Sequence, residues 1–119
     1  MSQLEIFSLR RRLISSRTFH ALWQHASKLT ELYLRWNTRL HDRDLALRNL
    51  EFPCLKIICL ANNFWISATG IVSLLQSCPS LQINYVDIEL ALCYVKHPAV
   101  VAKQCRSDII KVCLKCPHC

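Results

Sequence analysis

The apolar positions recur at a long and constant interval. Leu29, Leu32, Leu34 and Asn37 spell L-x-x-L-x-L-x-x-N, and the same spacing returns downstream as Leu55, Ile58, Leu60 and Asn63. The positions between follow the same interval, pairing Leu40 with Ile66, Leu45 with Ile71 and Pro53 with Pro79. A third copy opens at Leu81 and Val86, with Asn84 where an apolar residue is expected and Glu89 where the asparagine stood. Upstream, Leu4, Phe7 and Leu9 precede Leu29 with matching spacing, and Ile14 precedes Leu40. Ile109, Val112 and Leu114 offer a fifth strand, at a slightly longer step after Leu81.

Each L-x-x-L-x-L segment reads as a short strand with inward leucines, after which the chain turns and returns through a helix on the same core. Helical spacing joins Phe19, Leu22, Trp23 and Ala26, then Leu45, Leu47 and Leu50, then Ile71, Leu74, Leu75 and Cys78. Asp42 and Ser67 are the expected N-caps of the second and third return helices. Pro98 suits the first turn of a helix running to Cys105. The expected class is α/β, one domain of about four units at 4-28, 29-54, 55-80 and 81-108. Residues 109-119 are a cysteine-rich tail or a partial fifth unit.

Ile66-Ser-Ala-Thr-Gly70-Ile71, followed by Leu74-Leu75-Gln-Ser-Cys78-Pro79-Ser-Leu81, resembles the cysteine-containing subclass of leucine-rich repeats common in F-box leucine-rich-repeat proteins. Phe52-Pro53-Cys54-Leu55 resembles the same ending with its cysteine displaced. The resemblance spans roughly residues 4 to 90 and is closest over 55 to 81. It implies a short solenoid with parallel strands on a concave face and helices on the convex face. It also implies recognition of a target protein and, through an F-box not visible here, a link to ubiquitin-ligase subunits. An asparagine at the position of Asn37 and Asn63 is implied to bond backbone groups of adjacent turns.

If the strands stack in register, the residues between the inward leucines form columns. Ile6, Glu31, Ile57 and Ile83 make one; Ser8, Tyr33, Cys59 and Tyr85 the next; Arg10, Arg35, Ala61 and Asp87 the third. Arg11, Trp36, Asn62 and Ile88 form the margin. The expected contact residues for a protein target are therefore Arg10, Glu31, Tyr33, Arg35, Trp36, Tyr85 and Asp87. Tyr33, Arg35 and Trp36 are the expected hot spot, because Trp, Tyr and Arg carry much of the energy of protein interfaces.

Composition narrows the function. Apolar residues make up 52% of the 119 and charged residues 19%, which argues for a folded chain. No apolar run approaches the ~20 residues of a membrane-spanning helix. The only glycine is Gly70, too few for phosphate-cradling loops, and no catalytic motif or acid-base carboxylate pair stands out. No enzyme activity and no cofactor are expected. The +7 charge leans toward acidic partners, but its dispersed Lys and Arg residues make nucleic acid a poor fit.

The opening residues, with Arg10, Arg11 and Arg12 following the apolar stretch, reverse the order of a secretory signal. The eight cysteines are accordingly read as reduced, with cytoplasm or nucleus as the expected location. Cys54, Cys59, Cys78 and Cys93 read as unit residues without chemistry, and the five histidines as mostly surface groups. Cys113, Cys116, His118 and Cys119 contain half of a zinc site, but four ligands from so short a tail would be crowded, and free thiols are the preferred reading. Two alternatives stand beside the binding module. One is a mitochondrial repeat protein whose first ~28 residues, rich in Arg and Ser, form a targeting peptide. The other is a zinc-dependent nucleic-acid binder using the basic start and the cysteine tail. Neither end carries a polar cap, which predicts a missing domain, self-association or poor solubility.

Overall fold

Short triplets rich in Leu, Ile, Val and Tyr suit extended chain, because side chains alternate between faces and an apolar face must leave water. The computed structural model describes residues 5–8, 14–25, 27–36, 39–46 and 52–114, with the backbone alone for 23–25. Within these residues β1 (Ile6–Ser8), β2 (Glu31–Tyr33), β3 (Ile57–Cys59), β4 (Ile83–Val86) and β5 (Ile110–Val112) form one sheet in chain order, parallel throughout. Four helices, α1 (Ser16–His25), α2 (Ala68–Ser77), α3 (Ile88–Tyr94) and α4 (Pro98–Val101), lie in the crossovers, so the architecture is α/β.

The register follows the spacing of the sequence. Ile6, Glu31, Ile57 and Ile83 stand side by side, as do Ser8, Tyr33, Cys59 and Tyr85. The offset between paired residues is the same at every step from β2 to β5 and shorter by a single position from β1 to β2. Leu32, Leu34, Ile58, Leu60 and Val86 face the helices and pack with Phe19, Leu22, Leu45, Ile71, Leu74 and Leu75 in the main core. Each such side chain contributes roughly 1.5–3 kcal/mol when fully buried. The opposite face carries a smaller buried cluster of Tyr33, Cys59, Ala61 and Cys113, flanked by Ile57 and Tyr85.

Several expectations are corrected. The fifth strand exists, but it keeps the constant step of the earlier strands: Ile110 pairs with Asn84 and Val112 with Val86. Ile109 is buried instead from a 3-10 turn at Ser107–Ile109 that closes the end of the core. The expected second return helix begins as a 3-10 turn, Asp42–Leu45, whose N-cap is His41. Leu47 and Leu50 lie outside the described residues. The helix opened by Pro98 stops at Val101 and does not reach Cys105, since Lys103 turns into the left-handed region at φ 58°. Helix α3 has no counterpart in the sequence reading; Asp87 starts it by accepting the Leu90 amide at 3.3 Å.

Asp42 works across the crossover. Its carboxylate accepts the Ser67 amide at 2.6 Å and the Ser67 hydroxyl at 2.5 Å, so it satisfies the first turn of α2 from 25 residues upstream. Ser67 is the N-cap of α2, as its spacing predicts, but its hydroxyl bonds Asp42 and not the helix. Gly70 is what admits this carboxylate: a Cβ there would stand 2.9 Å from Asp42 Cγ and closer still to Oδ1. The other end of α2 is held from further along the chain. Arg106 donates through Nη2 to the Leu75 and Cys78 carbonyls, both at 2.9 Å, and through Nη1 to those of Leu81 and Pro79 at 2.8 and 3.2 Å. A cation there also complements the negative end of the helix dipole.

The two inward asparagines behave in opposite ways. Asn63 donates from Nδ2 to the carbonyls of Leu34, Leu60 and Ala61, tying the turn after β3 to the strand before it. Asn84 is 0% exposed between Ile58 and Ile110, and neither of its amide atoms has a hydrogen-bond partner among the described residues.

Candidate partner-binding surface

The columns on the outer face are formed, but their middle is covered. Tyr33 is 1% exposed and donates its hydroxyl to Glu31 Oε1 at 2.6 Å. Burial, together with that carboxylate, raises the phenol well above its ordinary range. A partner could reach Tyr33 only by displacing what covers it, so it is not an available contact here. Glu31, Ile57, Ile83 and Tyr85 are half-buried and Ile6 is exposed, which leaves a partly apolar strip beside the covered cluster. Arg10 and Arg11 lie outside the described residues.

The other expected contacts are engaged with their neighbours. Arg35 donates from Nε to Asn62 Oδ1 at 3.1 Å. Asp87 accepts the Asn62 amide at 3.1 Å as well as that of Leu90, so its position is set by the turn and by α3. Trp36 and Asn62 occupy the same place in successive turns and share the left-handed conformation, with φ 63° and 61°. Asparagine tolerates that region, whereas tryptophan enters it at a cost of about 1 kcal/mol or more. The half-buried Trp36 ring meets Phe64 edge-on at 5.9 Å.

That contact leads to a surface that the inward-pointing pattern does not indicate. Phe64 is 69% exposed, Trp65 is exposed and stacked on His41 at 5.5 Å, and Ile88 is 61% exposed. With Trp36 they form an apolar rim in the segments that follow β2, β3 and β4. Beside it opens a cleft of about 470 Å³ whose lining includes Asn62, Phe64, Ser67, Asp87, Ile88 and Glu89. Phe64-Trp65 directly follows the patterned Asn63 at positions with no inward role, and that was the available signal. Ile88 falls in the margin column with Trp36, where its spacing places it, and Glu89 joins this surface because α3 starts at once after β4.

No disulfide joins the described cysteines. Cys59 and Cys78 are buried, and burial pushes the Cys59 thiol up to about 12 and raises that of Cys78. Cys54 and Cys93, read with them as unit residues, are exposed. Cys113 is buried with its sulfur 3.8 Å from that of Cys59, while Cys116, His118 and Cys119 lie outside the described residues. Among the described residues no three His, Cys, Asp or Glu side chains are grouped to hold a metal. No helix among them is long and apolar enough to cross a membrane. In comparisons with known proteins, no family model and no curated protein matches this chain.

Proposed function

We propose that this chain is a short leucine-rich-repeat solenoid that serves as a protein-binding module, with the aromatic rim and the neighbouring outer strip as its contact surface. The observation that carries the reading is the constant sequence offset between paired strands from β2 to β5, together with the Asn63 amide bonded to the turn of the preceding strand. Units related in this way bury one continuous core and leave the residues of each turn aligned along one edge. Large aromatic side chains held on such an edge supply contact area at low entropic cost, and they concentrate at protein interfaces. A ubiquitin-ligase role rests on the resemblance alone.

Affinity capture with mass spectrometry tests the reading, using the chain and a Phe64→Ala/Trp65→Ala variant of unchanged circular dichroism. A specific protein recovered by the first and lost from the second supports it. Co-recovery of a ubiquitin-ligase adaptor supports the narrower role. Identical recoveries from both would overturn the assignment of the rim.

A further inference from the structure

The cleft beside the rim differs in charge from the rest of the molecule. The chain carries a net +7, yet among the described residues the cleft lining holds two carboxylates, Asp87 and Glu89, and no Lys, Arg or His. The two acids are not equivalent. Asp87 is taken up by the amides of Asn62 and Leu90. The exposed Glu89, next but one along the chain, has no hydrogen-bond or ion-pair partner among the described residues. Phe64 and Ile88, both largely exposed, line the same cleft as Glu89. Asp42 accepts from Ser67 at the positive end of α2, and Asp87 caps α3, whose first turn carries Glu89 itself, so the acids here offset both helix ends that would otherwise oppose a cation.

An apolar wall next to one unpaired carboxylate suits a side chain with an apolar stem and a cationic head. Arginine and lysine have that form, and an aromatic face such as that of Phe64 adds attraction for the cation. We propose that the cleft receives an Arg- or Lys-bearing apolar segment of a partner protein, with the stem on Ile88 and Phe64 and the cation on Glu89. This rests on the protein-binding reading and adds the chemistry of the partner. The net positive charge of the chain repels basic peptides in general, so attraction at this point is local and selective.

The test titrates the full chain against two fluorescein-labelled short peptides, one carrying Arg-Leu-Arg and the other Glu-Leu-Glu in the same Gly/Ser frame. Binding is followed by anisotropy and located by backbone amide chemical shifts. The expected result is binding of the arginine peptide alone, with shifts at Phe64, Ile88 and Glu89. Affinity should be about tenfold weaker for Glu89→Lys and intermediate for Glu89→Gln, both exposed changes that leave the core untouched. Equal binding by Glu89→Lys, binding of the glutamate peptide, or no binding of either peptide would overturn the proposal. Shifts confined to Ile57 and Tyr85 would also overturn the cleft while leaving the protein-binding reading standing. That reading fails separately, through the capture experiment.

Discussion

The carboxylate of Asp42 occupies the space that a side-chain carbon on Gly70 would need. A glycine inside a helix ordinarily destabilises it by about 1 kcal/mol relative to alanine, so Gly70→Ala alone would be expected to help. Here the collision outweighs propensity. Gly70→Ala is predicted to lower stability by about 1–3 kcal/mol in urea denaturation. In an Asp42→Ala background the same change should cost clearly less, because only the backbone Cα of that residue, at 3.1 Å, still crowds the new carbon. Equal effects in both backgrounds would show that the two residues do not compete for this space.

Arg106 should matter more than a half-exposed arginine normally does. It is bonded to four backbone carbonyls at the end of α2, and charge-assisted bonds are individually stronger than neutral ones. Arg106→Ala is predicted to cost about 2 kcal/mol, and Arg106→Lys to recover less than half of it, because an ammonium cannot reproduce the planar fork. Amide hydrogen exchange offers the sharper readout, with protection lost first in the last turn of α2.

Asn63 and Asn84 predict opposite signs for similar changes. Asn63→Leu removes the donor to three carbonyls and should destabilise by about 2–3 kcal/mol. Asn84→Leu replaces a buried amide that has no partner among the described residues by a side chain suited to its inward column and should stabilise by about 1–3 kcal/mol. Thermal melts of the two variants beside the parent chain decide it.

Stability should fall in alkali before any general unfolding. The Cys59 thiol has a folded value near 12 against an ordinary 9.0, so the unfolded state releases its proton first as pH rises. Its contribution is intact below pH 9 and is lost progressively between 9 and 12. The raised phenols of Tyr33 and Tyr94 add loss in the same direction from their ordinary value of 10.0 upward. Urea midpoints measured at neutral pH and in this alkaline window should therefore differ less for Cys59→Ala. In native buffer an aromatic disulfide reagent should titrate Cys54 and Cys93 quickly and Cys59, Cys78 and Cys113 slowly, as their exposure dictates.

The strand columns were legible because the apolar spacing and the sheet offset are the same quantity, and Ile6, Glu31, Ile57 and Ile83 fall where their numbers put them. The crossovers were less legible. Asp42 looks like a local cap in sequence, but its carboxylate is reached by Ser67 only once neighbouring crossovers pack together. Arg106 carries no pattern at all, since its partners are carbonyls of residues 75 to 81. Of the expected contact residues, Tyr33 is buried for a reason of the same kind: alternation along β2 places it on the outer face without revealing that this face has a covered cluster of its own. The exposed rim lies in turns, where an inward pattern says nothing about which aromatic side chains remain outside.

The offset shared by the steps from β2 to β5 also limits how such a chain can change length. Several side-chain bonds span nearly the same separation, among them Asp42 to Ser67, Asn62 to Asp87 and Ser80 to the Leu55 carbonyl, each 25 residues apart. A short deletion inside a crossover would misalign every such link across that step, and a strand slipped by one position would turn its inward side chains outward. Loss or gain of one whole interval, such as that from Leu29 to Leu55, would present each strand with a neighbour of the same pattern. From β2 to β5 single-residue indels should therefore be tolerated only in segments that make no link to the next strand, whereas the step from β1 to β2 already accommodates one position fewer.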